Sequence, residues 1–332
     1  MSATPILEVE DLSVHYQVKR GVVHAAEGVS YRLEKGQSLG VVGESGSGKS
    51  TVATALLGLL PPNASVTAAK LEVNGQSLLG ADEKRFNQVR WKEAAMVFQK
   101  SMGCLSPVHR IREQFTDVVA VHQPNLPRDQ AVARAAELLA SVHLPATVLN
   151  AYPHELSGGM TQRVMIALSL VHNPELLILD EATTALDVIT QGQILEEVTR
   201  LKGEFGLTTM VITHDMSVVA ATCDRVAVMY AGHVMEVGPV RETIKAPRHP
   251  YTALLTKAFP KLHGERSRIL GIPGSLPDLV DPPAGCVFAP RCPRAVQECH
   301  HERPAVFRVG DGHYAACRLL AGEGGEPVAR VC

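Results

Sequence analysis

The stretch Gly43-Glu44-Ser45-Gly46-Ser47-Gly48-Lys49-Ser50-Thr51 constrains this chain more than any other. It fits the pattern of a glycine, four free positions and Gly-Lys-Ser/Thr. The apolar run Leu39-Gly40-Val41-Val42 precedes it, and a helix-forming run from Thr51 to Leu57 follows. A buried strand, a glycine-rich turn and a helix N-terminus together make an anion cradle, because successive backbone N–H groups and the positive end of the helix dipole converge on one point. Gly43, Ser45, Gly46, Ser47, Gly48, Lys49, Ser50 and Thr51 are therefore expected to hold a nucleotide. Lys49 would reach the β- and γ-phosphates, and the Ser50 hydroxyl would ligate Mg2+.

Composition narrows the classes around that loop. With 332 residues the chain can bury a full core and predicts one large domain plus an appendage, or two domains. A formal net charge of −2 and no basic run leave no electrostatic case for nucleic-acid binding. Apolar stretches are short and interrupted, well under the roughly 20 residues that span a bilayer. Met1-Ser2-Ala3-Thr4-Pro5 has neither the basic start nor the apolar core of a signal peptide, so a cytoplasmic place is expected. Of seven cysteines, Cys104 and Cys223 lie in the main body and the other five crowd after residue 285. In a reducing compartment such crowding points to metal rather than disulfides.

Residues 6 to 34 alternate apolar and polar side chains and predict antiparallel strands. Tyr16 sits there, either stacked on a nucleotide base or as a half-buried strand tyrosine. Pro61-Pro62-Asn63 is expected to end the first helix, with strands around 71–73 and 95–98, the latter ending at Gln99. From Ile111 to Leu149 apolar residues recur at three and four, a helical insertion. Leu176-Leu177-Ile178-Leu179 and Met210-Val211-Ile212-Thr213 read as central parallel strands, closed by Asp180-Glu181 and His214-Asp215. In open parallel sheets ligands bind beyond the carboxyl ends of the strands, so Gly43, Asp180, Glu181 and His214 are expected to face one nucleotide. After Gly238 the sheet pattern fades and proline becomes frequent, which predicts a loop-rich tail.

Phosphoryl transfer needs positioning and charge neutralisation, so a metal-holding Asp180 beside Glu181 as the base that polarises water suits the reaction. His214 can donate to the γ-phosphate, and Gln99 can ligate Mg2+ or orient water. Leu156-Ser157-Gly158-Gly159-Met160 opens a further helix and makes a second anion-binding element. The order of phosphate loop, Gln99, Leu-Ser-Gly-Gly, Asp180-Glu181, Ala185-Leu186-Asp187 and His214 resembles the ATPase subunit of an ABC transporter over about residues 6 to 240. The resemblance implies an α/β P-loop NTPase core with an antiparallel β subdomain and a helical signature subdomain, about 105–172. It also implies ATP and Mg2+ as ligands and a head-to-tail dimer. In that dimer Ser157, Gly158 and Gly159 would complete the partner's ATP site, and Asp187 would organise the shared interface. Three positions depart from the family: Met160 for Gln, Ala182-Thr183-Thr184 for Pro-Thr-Ser, and Lys100-Ser101 for Asp-Pro after Gln99. None removes a phosphate, metal or base ligand, so hydrolysis is expected to survive.

The tail, 241–332, narrows the resemblance. His249-Pro250-Tyr251-Thr252 is similar to a segment of dipeptide and oligopeptide importer ATPases. Cys286, Cys292, Cys299 and Cys317 follow on loop-rich chain, and by spacing alone four such thiolates suit zinc or an iron–sulfur cluster equally. The same positions match the importers' C-terminal region, where the resemblance implies a [4Fe–4S] cluster, with Zn2+ as the alternative. Cys332 lies outside the pattern. The implied function is ATP-driven import of di- or oligopeptides. The implied partners are a second ATPase subunit, a homologous heterodimer before a homodimer, two membrane permeases and an extracytoplasmic solute-binding protein. The chain would sit peripherally on the cytoplasmic face of the membrane. Alternatives are a soluble non-transport ABC ATPase, an importer of oligosaccharide or nickel, and a redox sensor on a nucleotide-binding scaffold.

Overall fold

The computed structural model describes residues 5–98, 101–182, 186–258 and 271–328. In chain order the elements begin with β1 (Leu7–Val18), β2 (Gly21–Leu33), β3 (Ser38–Val42), α1 (Lys49–Leu56), β4 (Ala64–Thr67), β5 (Lys70–Val73), β6 (Gln76–Ser77) and α2 (Glu83–Val89). Next come β7 (Ala94–Val97), α3 (Ser101–Cys104), α4 (Ile111–His122), α5 (Arg128–Ser141), α6 (Gly158–Ser169), β8 (Leu176–Asp180), α7 (Val188–Phe205) and β9 (Thr208–Thr213). The chain closes with α8 (Met216–Thr222), β10 (Arg225–Tyr230), β11 (His233–Pro239), α9 (Val240–Lys245), α10 (Pro250–Lys257), β12 (Val306–Gly310), β13 (His313–Ala315) and β14 (Glu326–Val328). Two compact units divide it: Met1–Phe86 with Val211–Cys332, and Asn87–Met210.

In the first unit β1 pairs antiparallel with β2, β4 and β5, giving the order β2-β1-β5-β6. Leu7 and Val9, and after a register shift Leu12 and Val14, are buried, so the irregularity at Asp11 (φ +53°) returns the second pair to the core. The unit's other strands run β14-β12-β13-β11-β10-β3. β3 is buried along its whole length and lies parallel to β10, from Leu39↔Arg225 to Val42↔Val228. Its continuous apolar composition follows from being covered on both faces. β10 and β11 form a hairpin through Ala231 (φ +48°) and Gly232 (φ +82°), both left-handed as a tight two-residue turn requires.

Two expectations need correction. The first helix ends at Leu56 rather than at the prolines: Gly58 N–H donates to Ala55 O (3.1 Å) and Leu59 N–H to Thr54 O (2.9 Å), a glycine-capped terminus with Gly58 at φ +61°. The tail after Gly238 is also less loop-like than its prolines suggest. β13 pairs antiparallel with β11 (Glu236↔Ala315, Val237↔Tyr314), β12 with β13, and β14 with β12. These strands are too short for an alternating pattern to stand out. Tyr251, Val287 and Phe288 join Val228 and Tyr230 in one buried cluster, with the Tyr230 and Phe288 rings 5.1 Å apart edge to face. The tail thus belongs to the first unit's core.

In the second unit β8 is buried throughout and runs parallel to β7 (Ala94↔Leu176 to Val97↔Leu179). α4 buries Ile111, Phe115 and Val119, and α5 buries Ala131, Ala135, Leu138 and Leu139, at the predicted spacing of three and four. The α/β class read from the sequence holds. Among the described residues no helix is long and apolar enough to cross a membrane.

Candidate nucleotide site and cysteine cavity

The phosphate loop leaves β3 at Val42 and enters α1 at Lys49. Its turns require glycine: a Cβ on Gly43 would lie 2.0 Å from Met229 O, and one on Gly48, whose φ is +94°, would lie 2.2 Å from Ala25 O. α1 carries no side-chain cap and no acidic residue in its first turn, so its N-terminal N–H groups and positive dipole end are unopposed by a side-chain anion of the helix itself. Lys49 is 5% exposed and curls over the loop, where Nζ donates to Gly43 O and Glu44 O (2.9 Å each) and approaches Ser47 Oγ (3.3 Å). Ser47 is buried, while Ser45, Gly46 and Ser50 are exposed along the same loop. Half-buried Tyr16 on β1 approaches from the side, its hydroxyl 3.5 Å from Thr51 Oγ1. Tyr16 and the phosphate loop's Thr51 are therefore neighbours.

Sequence reasoning missed two residues from the tail that hold this loop. The Glu44 N–H donates to the Tyr251 hydroxyl (3.1 Å). Arg291, between Pro290 and Cys292, bonds Glu44 Oε2 through Nη1 (2.9 Å) and the Tyr230 hydroxyl through the same nitrogen (3.1 Å). Its Nε and Nη2 reach the carbonyls of Pro273 (2.7 Å) and Ile272 (3.0 Å), and its side chain is only 6% exposed. The one signal available was an arginine inside the cysteine motif, and nothing in the sequence paired it with a residue 247 positions away.

His214 follows β9 and is exposed. Its neighbour Asp215 caps α8, its Oδ1 accepting from Ser217 N–H (2.7 Å) and Oγ (2.6 Å). In the second unit Asp180 ends β8, 5% exposed, and Glu181 follows at φ +45°. A left-handed backbone at a non-glycine residue costs about 1–2 kcal/mol, and such outliers concentrate at functional positions. Gln99 and residues 183–185 lie outside the described residues.

The signature serine caps α6: Ser157 Oγ accepts from Met160 N–H (3.3 Å), with Gly158 and Gly159 in the first turn. Both glycines lie inside α6, which starts at Gly158. A Cβ on Gly159 would press Thr190 Cγ2 at 2.9 Å. Asp187 caps the 18-residue α7, accepting from Ile189 N–H (3.1 Å), Thr190 N–H (3.0 Å) and Thr190 Oγ1 (2.7 Å). Those bonds, led by the Thr190 hydroxyl, hold its carboxyl below the usual range. Ser157, Gly158, Gly159, Arg163, Asp187 and Thr190 line one open cavity of ≈ 500 Å³.

Cys286, Cys292, Cys299 and Cys317 line a second, small cavity of ≈ 20 Å³ together with Phe288 and Ala289. The segments meet closely: Cys286 N–H donates to Cys299 O (2.8 Å), and a side chain on Gly285 would strike Cys299 O at 2.3 Å. Burial, with neighbouring thiols adding to it, pushes the Cys286 and Cys292 thiols up and that of Cys317 to about 11. Four thiols converging from distant positions are a donor set that fits a soft metal centre, whose charge would hold them as thiolates. Cys332 lies outside the described residues.

Comparison with known proteins agrees with this geometry. The ABC transporter family matches residues 26–184, and the oligopeptide/dipeptide transporter C-terminal region matches 235–299. A probable peptide ABC transporter ATP-binding protein of Sinorhizobium fredii is 44% identical, over 94% of each chain. The dipeptide transport ATP-binding protein DppD of Escherichia coli is 40% identical over 97% of this chain and 99% of its own. The oligopeptide transport ATP-binding protein OppD of Salmonella typhimurium is 42% identical over 95% and 94%. Among solved structures, the dimeric ATP-binding cassette MJ0796 in a post-hydrolysis state with ADP and Pi superposes with a TM-score of 0.64 at 26% identity, covering 71% of this chain and 99% of that one. The structure of cbiO1 from Clostridium perfringens, part of the ABC transporter complex cbiONQ, gives 0.63 at 27% identity over 75% of this chain and 93% of that one. The chain is therefore an ABC-type ATPase and belongs to the ATP-binding subunits of the oligopeptide/dipeptide ABC transporter family.

Proposed function

We propose that this subunit hydrolyses ATP to power import of di- or oligopeptides through separate membrane permeases. The observation that carries the reading is likeness to peptide-transport ATP-binding proteins along nearly the whole chain, tail included. In this reading residues 6–240 form the ATPase part, with 105–172 as its helical signature portion, and 241–332 form the C-terminal region. The subunit lies on the cytoplasmic face of the membrane as one half of a heterodimer with a homologous ATPase. Two permeases and an extracytoplasmic solute-binding protein complete the assembly.

The assigned roles rest on residue chemistry. Lys49 and the loop N–H groups would bind the β- and γ-phosphates, Tyr16 would stack on the base, and Ser50, Asp180 and Gln99 would hold Mg2+, which would supply charge neutralisation for phosphoryl transfer. Glu181 polarises the attacking water, and His214 donates to the γ-phosphate. Ser157, Gly158 and Gly159 offer a helix N-terminus to the nucleotide of the partner subunit, beside Asp187. Binding of two nucleotides between two such subunits then favours the closed dimer over the open one by their differential affinity, and hydrolysis releases it. Cys286, Cys292, Cys299 and Cys317 would hold a [4Fe–4S] cluster in preference to Zn2+. The convergence of four thiols on one cavity supports a metal centre there.

Glu181→Gln in the complex with its permeases is the test. ATP binding should persist, while turnover falls by roughly 10²-fold or more and uptake stops. Unchanged turnover would remove Glu181 from the base role. Co-purification with soluble partners and no multi-span permease would favour the non-transport alternative. Anaerobic purification should give a brown protein with about four irons per chain. Stoichiometric zinc in a colourless protein would replace the cluster by a single ion.

A further inference from the structure

A second group of metal-ligating side chains lies outside both sites. His15 on β1 and His24 on β2 are paired directly across the hairpin, their ring centroids 4.6 Å apart. Glu27 joins them: its Oε1 lies 2.5 Å from His15 Nε2 and 2.5 Å from His24 Nδ1. One ligand atom from each residue lies within 4.8 Å of the other two.

This grouping is not what a regular strand provides. Residues three apart on a strand point to opposite faces. The register, however, pairs Val14 with Ala26 and His15 with His24, so Ala25 is an extra residue and β2 bulges there. The bulge turns His24 and Glu27 to one side, where His15 meets them. The turn of the β10–β11 hairpin fixes the place, because Glu27 N–H donates to Gly232 O (2.9 Å). The next residue, His233, bonds Ala231 O through Nδ1 (2.9 Å). Its Nε2 is buried with no hydrogen-bond partner among the described residues, and its ring feels the charge of Glu27 and His24.

We propose that His15, His24 and Glu27 form a binding site for one borderline divalent metal ion of the Zn2+, Co2+ or Ni2+ kind. Two imidazoles and a carboxylate are a three-ligand set that suits these ions and leaves a position for water or a further imidazole. The side chains of His15 and His24 are 29% and 32% exposed, so an ion can reach them, while Glu27 is 16% exposed and its position is defined. Ligands at about 2.0–2.1 Å from a tetrahedral ion stand roughly 3.3 Å apart, so the carboxylate has to withdraw by about 1 Å, a side-chain adjustment. Both imidazoles bind as neutral rings, and any proton one of them shares with Glu27 is released to solvent on binding. The ion would tie β1 to β2 at the bulge whose Ala25 carbonyl abuts Gly48 of the phosphate loop.

The test is Co2+ titration of the full-length protein, read by visible absorption. A His/carboxylate site gives d–d bands without the intense thiolate charge-transfer band that Co2+ on the cysteine cavity would give, so the two sites are read separately. One equivalent of nitrogen- and oxygen-ligated Co2+ is expected. Its affinity should fall at least about tenfold in His24→Gln and in Glu27→Gln, and the bands should vanish in the His15→Gln/His24→Gln pair, while circular dichroism and ATP binding stay unchanged in all. Absence of such bands in the wild type, or affinities equal to it in these variants, would overturn the proposal. If the double variant fails to fold, Glu27→Gln, which keeps the shape and a hydrogen bond, decides alone.

Discussion

A methyl group on Gly48 would lie 2.2 Å from the Ala25 carbonyl, at a φ of +94° that L side chains rarely adopt. Gly48→Ala is therefore expected to displace the start of α1 and weaken ATP binding at least about tenfold, as read with a fluorescent ATP analogue, with only modest loss of secondary structure. The phosphate-loop glycine was legible because the motif itself demands it. Arg291 was not: its meaning is an ion pair with Glu44 at 2.9 Å, made across 247 positions of chain. Arg291→Ala leaves a carboxylate and two carbonyls without their donor and frees the loop. ATP affinity should fall several-fold while the signature helix is unaffected. Arg291→Lys should rescue little of it, since one ammonium cannot reach all four acceptors as a guanidinium fork does.

At the scale of elements, β11 acts as the junction between the ATPase sheet and the tail. Its Glu236 is fully buried and accepts from Arg248 N–H (2.9 and 3.1 Å), His249 N–H (2.8 Å) and His313 Nε2 (2.7 Å). One carboxylate thus fastens the start of α10 and the strand β13 to β11. Glu236→Ala would leave these donors buried and unmatched, and should lower the unfolding free energy by about 3–5 kcal/mol in urea titration. The strand itself was readable from Val234-Met235-Glu236-Val237. That its charged member points inward was not, because alternation marks apolar positions and is silent about a buried acid that its partners satisfy.

For the whole molecule, stability should decline as pH falls below about 6.5, because both units hold histidines whose burial lowers them. In the second unit His122 and His172 stand edge to face, 4.8 Å between centroids, and burial is the first cause that lowers both below 6.5. Groups depressed in the folded state take up protons first in the unfolded chain. Their contribution is therefore complete above about pH 6.5 and is lost as pH falls below it, by at most about 1.4 kcal/mol per pH unit for each proton. Both rings are partly exposed, so a shallow decline is expected. Guanidine titrations between pH 7 and 5 should show it, and the His122→Gln/His172→Gln pair should make it shallower without abolishing it, because burial also lowers His233 and pushes His249 down to about 4 in the first unit.

The sequence by itself marked the phosphate loop, the buried strands around 39–42, 176–179 and 210–213, the helical insertion, the Leu-Ser-Gly-Gly motif before a helix and the spacing of the cysteines. Each is encoded in neighbouring residues, through glycine geometry, hydrophobic period or short spacing. Only the tertiary structure decided that the proline-rich tail extends a sheet, that Tyr251 and Arg291 grip the phosphate loop, and that a bulge at Ala25 gathers His15, His24 and Glu27. Those facts depend on which distant backbones lie side by side. Side-chain pairs at long separation leave no period in the sequence, so they became visible only once packing had brought their partners within a hydrogen bond.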